Sequence, residues 1–223
     1  MTATPQTDIQ KISAFIKGQN FEAPFFLETP LVEAAYKKYY AVLLMRHGSS
    51  KTAVSAEFGR FIDEGVSDLS YSLYLTALGF YKPARLSLRG AIENVMRSAL
   101  VLMGQSPANI SVSQMFEDVK SHGDYLCAAS AISQLKDCYA TLCRTSHTVD
   151  VKFMAQKVPF AELIEKDSKK FDANLSIFTK VSASFCALFF VMKPESLAKL
   201  TPDMQDLVHR EVPKAIKKAI LNA

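Results

Sequence analysis

Glycine and proline are scarce in this chain, 8 and 9 residues of 223, and no stretch has low complexity. That excludes collagen-like, linker-rich and disordered architectures. The four cysteines, Cys127, Cys138, Cys143 and Cys186, form no C-x-x-C pair. Neither a zinc ribbon nor a thioredoxin-like redox centre is therefore expected, and the thiols read as free and mostly buried in a reducing compartment. Glycine-rich dinucleotide and P-loop patterns, H-E-x-x-H, an EF-hand loop and G-x-S-x-G are all missing. His47, His122, His147 and His209 are scattered without metal-ligand spacing. No metal and no cofactor is expected. The first residues carry no basic segment followed by an apolar one, so no secretory signal is read there. The longest apolar run, 181–192, is shorter than the roughly 20 residues that cross a bilayer and reads as a buried core helix. The expectation is a cytoplasmic protein with no membrane partner.

Hydrophobic residues make up 49% of the chain and charged residues 22%, enough for an ordinary core in one domain spanning 1–223. Lys and Arg number 26 against 22 acids, a net charge of +4 that is mild for a polyanion binder. The dominant pattern is helical. Val54, Phe58, Phe61, Ile62, Val66, Leu69 and Leu73 recur at i, i+3, i+4, as do Leu88, Ala91, Ile92, Val95, Met96, Ala99, Leu102 and Met103. Caps and breakers divide the chain into about seven helices of an all-α antiparallel bundle. A short helix and an aromatic strap (Phe21, Phe25, Phe26) occupy 8–28, the helical core 29–192, and a basic helix, kinked at Pro213, 202–221. Thr29-Pro30 and Thr201-Pro202 read as helix starts, Gly48, Gly79 and Gly104 as helix ends, and Ser49 or Ser50 as the cap of a helix reaching Leu78. Residues 124–147 and 160–192 read as two further helices, joined by an irregular stretch in which Val149, Val151 and Phe153 alternate.

Three groups of residues could carry chemistry. Arg85, Arg89, Glu93 and Arg97 stand four apart, so neighbours stack while the row drifts slowly round its helix. The row is either a solvent-facing ion-pair ladder or a stripe that receives phosphate in a cleft. Arg144 and His147 close a later helix: His147 either interacts with the helix C-terminus or exchanges a proton near neutral pH, while Arg144 stabilises a developing phosphorane charge. Metal-free RNA cleavage through 2′-hydroxyl attack needs those two roles. Finally, Arg210, Lys214, Lys217 and Lys218 face away from Val208, Val212, Ile216 and Ile220, giving a basic amphipathic helix that either packs as a chain end or rests on nucleic acid or a membrane surface. With Arg85 and Arg97, these four are the candidate nucleic-acid-binding residues. Tyr36, Tyr39 and Tyr40 read as core and rim rather than as a base-stacking platform. The adjacent acids Asp63-Glu64 and Glu117-Asp118 read as surface.

The segments Gly79-Phe-Tyr-Lys-Pro-Ala-Arg-Leu-Ser-Leu-Arg-Gly-Ala-Ile-Glu93 and Tyr139-x-x-Leu-x-x-x-x-His147 together resemble the HEPN-like helical domains of prokaryotes. Those domains occur in toxin–antitoxin, abortive-infection and antiviral defence proteins, and the active ones cut RNA without metal as homodimers. The resemblance implies a HEPN-like bundle in which Arg89 and Glu93 match the polar pair of the first motif helix, and Arg144 with His147 the catalytic arginine and histidine. Active members separate arginine from histidine by four to six residues, whereas two stand between Arg144 and His147. Two functions follow as expectations: an RNA-binding or RNA-cleaving homodimer, or a non-catalytic helical module that regulates or neutralises a protein partner. Catalysis requires Arg89, Glu93, Arg144 and His147 to converge; a module leaves them dispersed or paired into ladders beside an apolar patch.

Overall fold

Thr29 lies in extended backbone and its Oγ1 accepts a hydrogen bond from the Val32 N–H at 3.3 Å. Pro30, at the first helical position, gives up an N–H that would have no partner there. The helix that follows is the second of nine in the computed structural model, which describes residues 5–18, 29–146 and 167–221. In chain order these are α1 (Pro5–Gly18), α2 (Pro30–Ser49), α3 (Ala56–Ala77), α4 (Tyr81–Leu102), α5 (Val112–Ser121), α6 (Ala129–Ser146), α7 (Ser168–Met192), α8 (Pro202–Glu211) and α9 (Lys214–Leu221). Two 3-10 helices, Gly123–Ala128 and Pro194–Lys199, precede α6 and α8. The described residues contain no strand, and the fold is all-α.

The helix count exceeds the seven read from sequence, for local reasons. Neither Ser49 nor Ser50 starts a helix: Ser49 is the last residue of α2, and the Ser50 and Thr52 hydroxyls donate back to the carbonyls of His47 at 2.8 Å and Ser49 at 2.9 Å. Ser55 takes over as the cap of α3, accepting from the Phe58 N–H at 3.2 Å. Residues 123–128 wind as a 3-10 turn before α6 begins. At Pro213 the expected kink is a full break, because Val212 is extended and α9 restarts at Lys214. The start of α7 is fixed by Asp167, whose carboxylate accepts from the Lys170 N–H at 3.1 Å. The aromatic strap at 19–28 and the stretch 147–166, with its alternating Val149, Val151 and Phe153, lie outside the described residues.

α3 and α4 form a long antiparallel hairpin turned at Gly79. Gly79 adopts φ +82°, and Phe80 N–H reaches Leu75 O at 2.8 Å while Gly79 N–H reaches Thr76 O at 3.1 Å. This left-handed C-terminal motif closes the carbonyls of α3 and suits a residue without Cβ. Gly104, at φ +73°, ends α4 in the same way.

α7 runs through the centre and packs on α2, α3, α4 and α6. It buries Phe171, Phe178, Phe185, Phe189 and Phe190. It is also long and apolar enough to cross a membrane, but 72% of its most apolar window is buried inside the bundle, as expected for a core helix. Tyr36, Tyr39 and Tyr40 are buried in α2, in line with a core role. All four cysteines are free; Cys138 and Cys186 are buried, Cys127 and Cys143 half-buried.

Candidate functional site

The polar row of α4 is divided among three neighbouring helices. At its N-terminal end, Arg85 Nε donates to Asn174 Oδ1 of α7 at 2.6 Å, and Tyr81 Oη donates to the Asp167 carbonyl at 3.1 Å. One turn on, Arg89 Nε donates to Glu93 Oε1 at 3.0 Å and to Tyr139 Oη of α6 at 3.2 Å. Tyr139 in turn donates to Glu93 Oε1 at 3.0 Å, closing a three-membered ring of contacts. The Arg89 guanidinium also lies 5.3 Å from the centre of the Tyr139 ring, within cation–π range.

The second Glu93 oxygen accepts from Arg97 Nη2 at 2.9 Å, and Arg97 Nη1 donates to Asn94 Oδ1 at 3.2 Å. Asn94 Nδ2 then donates to Asp68 Oδ2 of α3 at 3.0 Å. Asp68 can approach because Gly90 has no side chain: a Cβ there would sit 2.5 Å from Asp68 Oδ2. A continuous polar seam thus links α6, α4 and α3. It is neither solvent-exposed nor dry, with the Arg89, Glu93 and Arg97 side chains 29%, 16% and 32% exposed.

The electrostatics follow from this partial burial. Burial, reinforced by the neighbouring Glu93 carboxylate, pushes the Tyr139 hydroxyl up to about 12, so at neutral pH it is a proton donor rather than a phenolate. Burial likewise raises the Asp68 carboxyl to about 6, with the Asn94 hydrogen bond opposing and Glu64 and Glu93 adding to the rise. Glu93 is held between two guanidinium groups, those of Arg89 and Arg97. Arg89 spends only its Nε on the ring, and its two Nη groups have no partner among the described residues.

Of the four candidate catalytic residues, Arg89 and Glu93 are brought together. Arg144 is exposed on α6, roughly 140° round the helix from Tyr139, and pairs with no described residue. His147 lies outside the described residues. Tyr139, Asn94 and Asp68 were not among the sequence candidates. Tyr139 carried a signal in its spacing, because Tyr139, Cys143 and His147 stand four apart and the Cys143 thiol lies beside the Tyr139 hydroxyl.

The nucleic-acid-binding candidates also divide. Arg85 is engaged with Asn174 of α7, and Arg97 is engaged in the seam. Arg210, Lys214 and Lys217 line an open groove of about 720 Å³ with Lys38, Asp206 and Glu211, whereas Lys218 is exposed outside it. The adjacent acids are surface groups: Asp63 pairs with Arg46 at 2.8 Å and Glu117 with Lys136 at 2.5 Å. Among the described residues, no group of three or more His, Cys, Asp or Glu could hold a metal ion. Comparisons of the chain with protein-family models, with known proteins and with solved structures give no match.

Proposed function

We propose that this chain is a HEPN-like protein of a prokaryotic defence or toxin system, acting on RNA by metal-independent chemistry. The observation that supports this reading is the ring formed by Arg89, Glu93 and Tyr139. The two segments that carry the resemblance, 79–93 and 139–147, are far apart in sequence, yet their polar residues meet in direct hydrogen bonds across α4 and α6. A surface ladder needs no partner on another helix, whereas a site assembled from two motifs does.

In this reading Glu93 and Tyr139 hold Arg89 so that its Nη groups face an incoming phosphate. His147, eight residues beyond Tyr139, exchanges the proton of the attacking 2′-hydroxyl or of the leaving oxygen. Arg144, exposed on the same helix, neutralises the developing charge on the phosphorane, in a homodimer from the partner's side.

A second reading has its own observation. Both Glu93 oxygens are taken by arginines of its own helix, as in a closed ladder, which suits a non-catalytic module that binds a protein partner. The test is cleavage of mixed cellular RNA in EDTA by the wild type, His147→Ala and Arg144→Ala. Degradation by the wild type that both variants lose supports the nuclease reading. Equal degradation by all three assigns the activity elsewhere. Silence from all three favours the module.

A further inference from the structure

α8 docks on α2, and after the break at Val212-Pro213 α9 packs on α7 and the 3-10 helix Gly123–Ala128. The groove between these elements concentrates charge. Four cations, Lys38, Arg210, Lys214 and Lys217, line it against two carboxylates, Asp206 and Glu211. Glu211 is occupied by an ion pair with Lys38. Lys217 Nζ donates to the His209 carbonyl at 2.7 Å, which fixes its position without neutralising it. Arg210 and Lys214 have no carboxylate within ion-pair distance among the described residues, and both are exposed to the groove's solvent.

Like charges gathered in one concavity repel one another, and an anion seated among them turns that repulsion into attraction. Arg210 offers a planar fork suited to two phosphate oxygens, while the lysines act as point charges that tolerate several geometries. The volume, about 720 Å³, lies within the range of small-molecule and cofactor sites. A second cleft of about 340 Å³ adjoins it, shares Arg210 and Glu211, and is lined besides by Pro5, Gln6, Lys37, Tyr40, Ala41 and Leu207. It provides room for the remainder of a ligand whose phosphates sit on the cations.

We propose that the groove between α2, α8 and α9 is a phosphate-binding site for a ligand with at least two neighbouring phosphate groups. The same chemistry is offered by the polyphosphate of a nucleotide and by consecutive phosphodiesters of a single RNA strand. None of its residues belongs to the Arg89–Glu93–Tyr139 ring, so the site stands whether or not the chain cleaves RNA.

The test is equilibrium binding to the full chain of three probes: adenosine triphosphate, a labelled RNA of roughly ten nucleotides, and an oligoglutamate of similar charge. The wild type is compared with Arg210→Gln/Lys214→Gln and with Lys169→Gln/Lys180→Gln, which removes the same charge from exposed positions of α7. The single variant Lys214→Gln provides a second, smaller perturbation, and thermal melts confirm that each variant is folded. The expected result is binding of at least one phosphate probe, weakened about tenfold or more in the groove variants and no more than about twofold in the α7 control. If RNA is the probe bound, losing two phosphate contacts lowers the salt slope by about 1.4. Binding of the nucleotide alone, or of RNA alone, identifies the source of the phosphate. No binding of either, equal losses in the α7 control, or oligoglutamate binding as tight as the phosphate probes would overturn the proposal. RNA cleavage in EDTA is scored separately, so failure here is distinct from failure of the nuclease reading.

Discussion

Asp68 illustrates how one side chain reports on its surroundings. Its carboxyl titrates at about 6 in the folded chain against an ordinary 3.8, chiefly because burial between α3 and α4 disfavours the charge. Between those values the folded state binds more protons than the unfolded one, so the stability owed to this group is present below pH 4 and is lost as pH rises through 6. Asp68→Asn keeps an acceptor for Asn94 and cannot titrate. Urea midpoints at pH 4.5 and pH 7.5 are therefore expected to show the wild type losing ground to the variant at the higher pH; a gap that does not change with pH would sink this account. Tyr139→Phe removes the hydroxyl that accepts from Arg89 and donates to Glu93, and keeps the ring packed on Phe116. The expected cost is about 1–2 kcal/mol, read from urea unfolding, because the lost bonds involve charged partners in a half-buried site. A loss below about 0.5 kcal/mol would make the ring equivalent to an exposed ladder.

Among the helices, Gly48 and Gly59 separate two uses of the same residue. Gly48 reads in sequence as the end of a helix, yet α2 continues through it to Ser49. Its role is close packing: a Cβ there would lie 2.1 Å from the Ser196 carbonyl oxygen of the 3-10 helix Pro194–Lys199. Gly48→Ala is expected to destabilise by about 1–3 kcal/mol, since backbone must move to accept the methyl. Gly59, inside α3 with nothing within 4 Å of its Cβ position, has no such constraint. Gly59→Ala is expected to stabilise by about 0.5–1 kcal/mol through helix propensity alone. Opposite signs in thermal or urea melts are the result to look for; a loss at both positions would contradict the open space at Gly59. Gly79 and Gly104, in contrast, were legible as helix ends, because the left-handed turn that closes a helix is a local device with a local signature.

The whole molecule is organised round α7, whose Phe185 and Phe189 rings stack edge-on and whose Phe189 also meets Phe58 of α3. Phe189→Ala is expected to cost about 3–5 kcal/mol, by lost burial plus the cavity left among helices that cannot all close in. A urea midpoint within error of the wild type would show that the core is less tightly organised than these contacts imply. The sequence by itself determined the helical class, the Thr-Pro starts of α2 and α8, the burial of α7 and the placing of Arg89 and Glu93 one turn apart on one helix. All of these depend on residues three or four apart, and that spacing is the same in a peptide as in a folded protein. Tertiary structure decided the rest. Tyr139 completes the Arg89–Glu93 ring only because α6 packs on α4, and Asp68 enters the seam only because Gly90 admits it. Likewise Lys38 joins Arg210, Lys214 and Lys217 only because α8 docks on α2 and the chain breaks at Pro213. These groups lie far apart along the chain, and what brings them together is the apolar burial that sets how the helices pack, a force that carries no record of which polar side chains it will leave face to face.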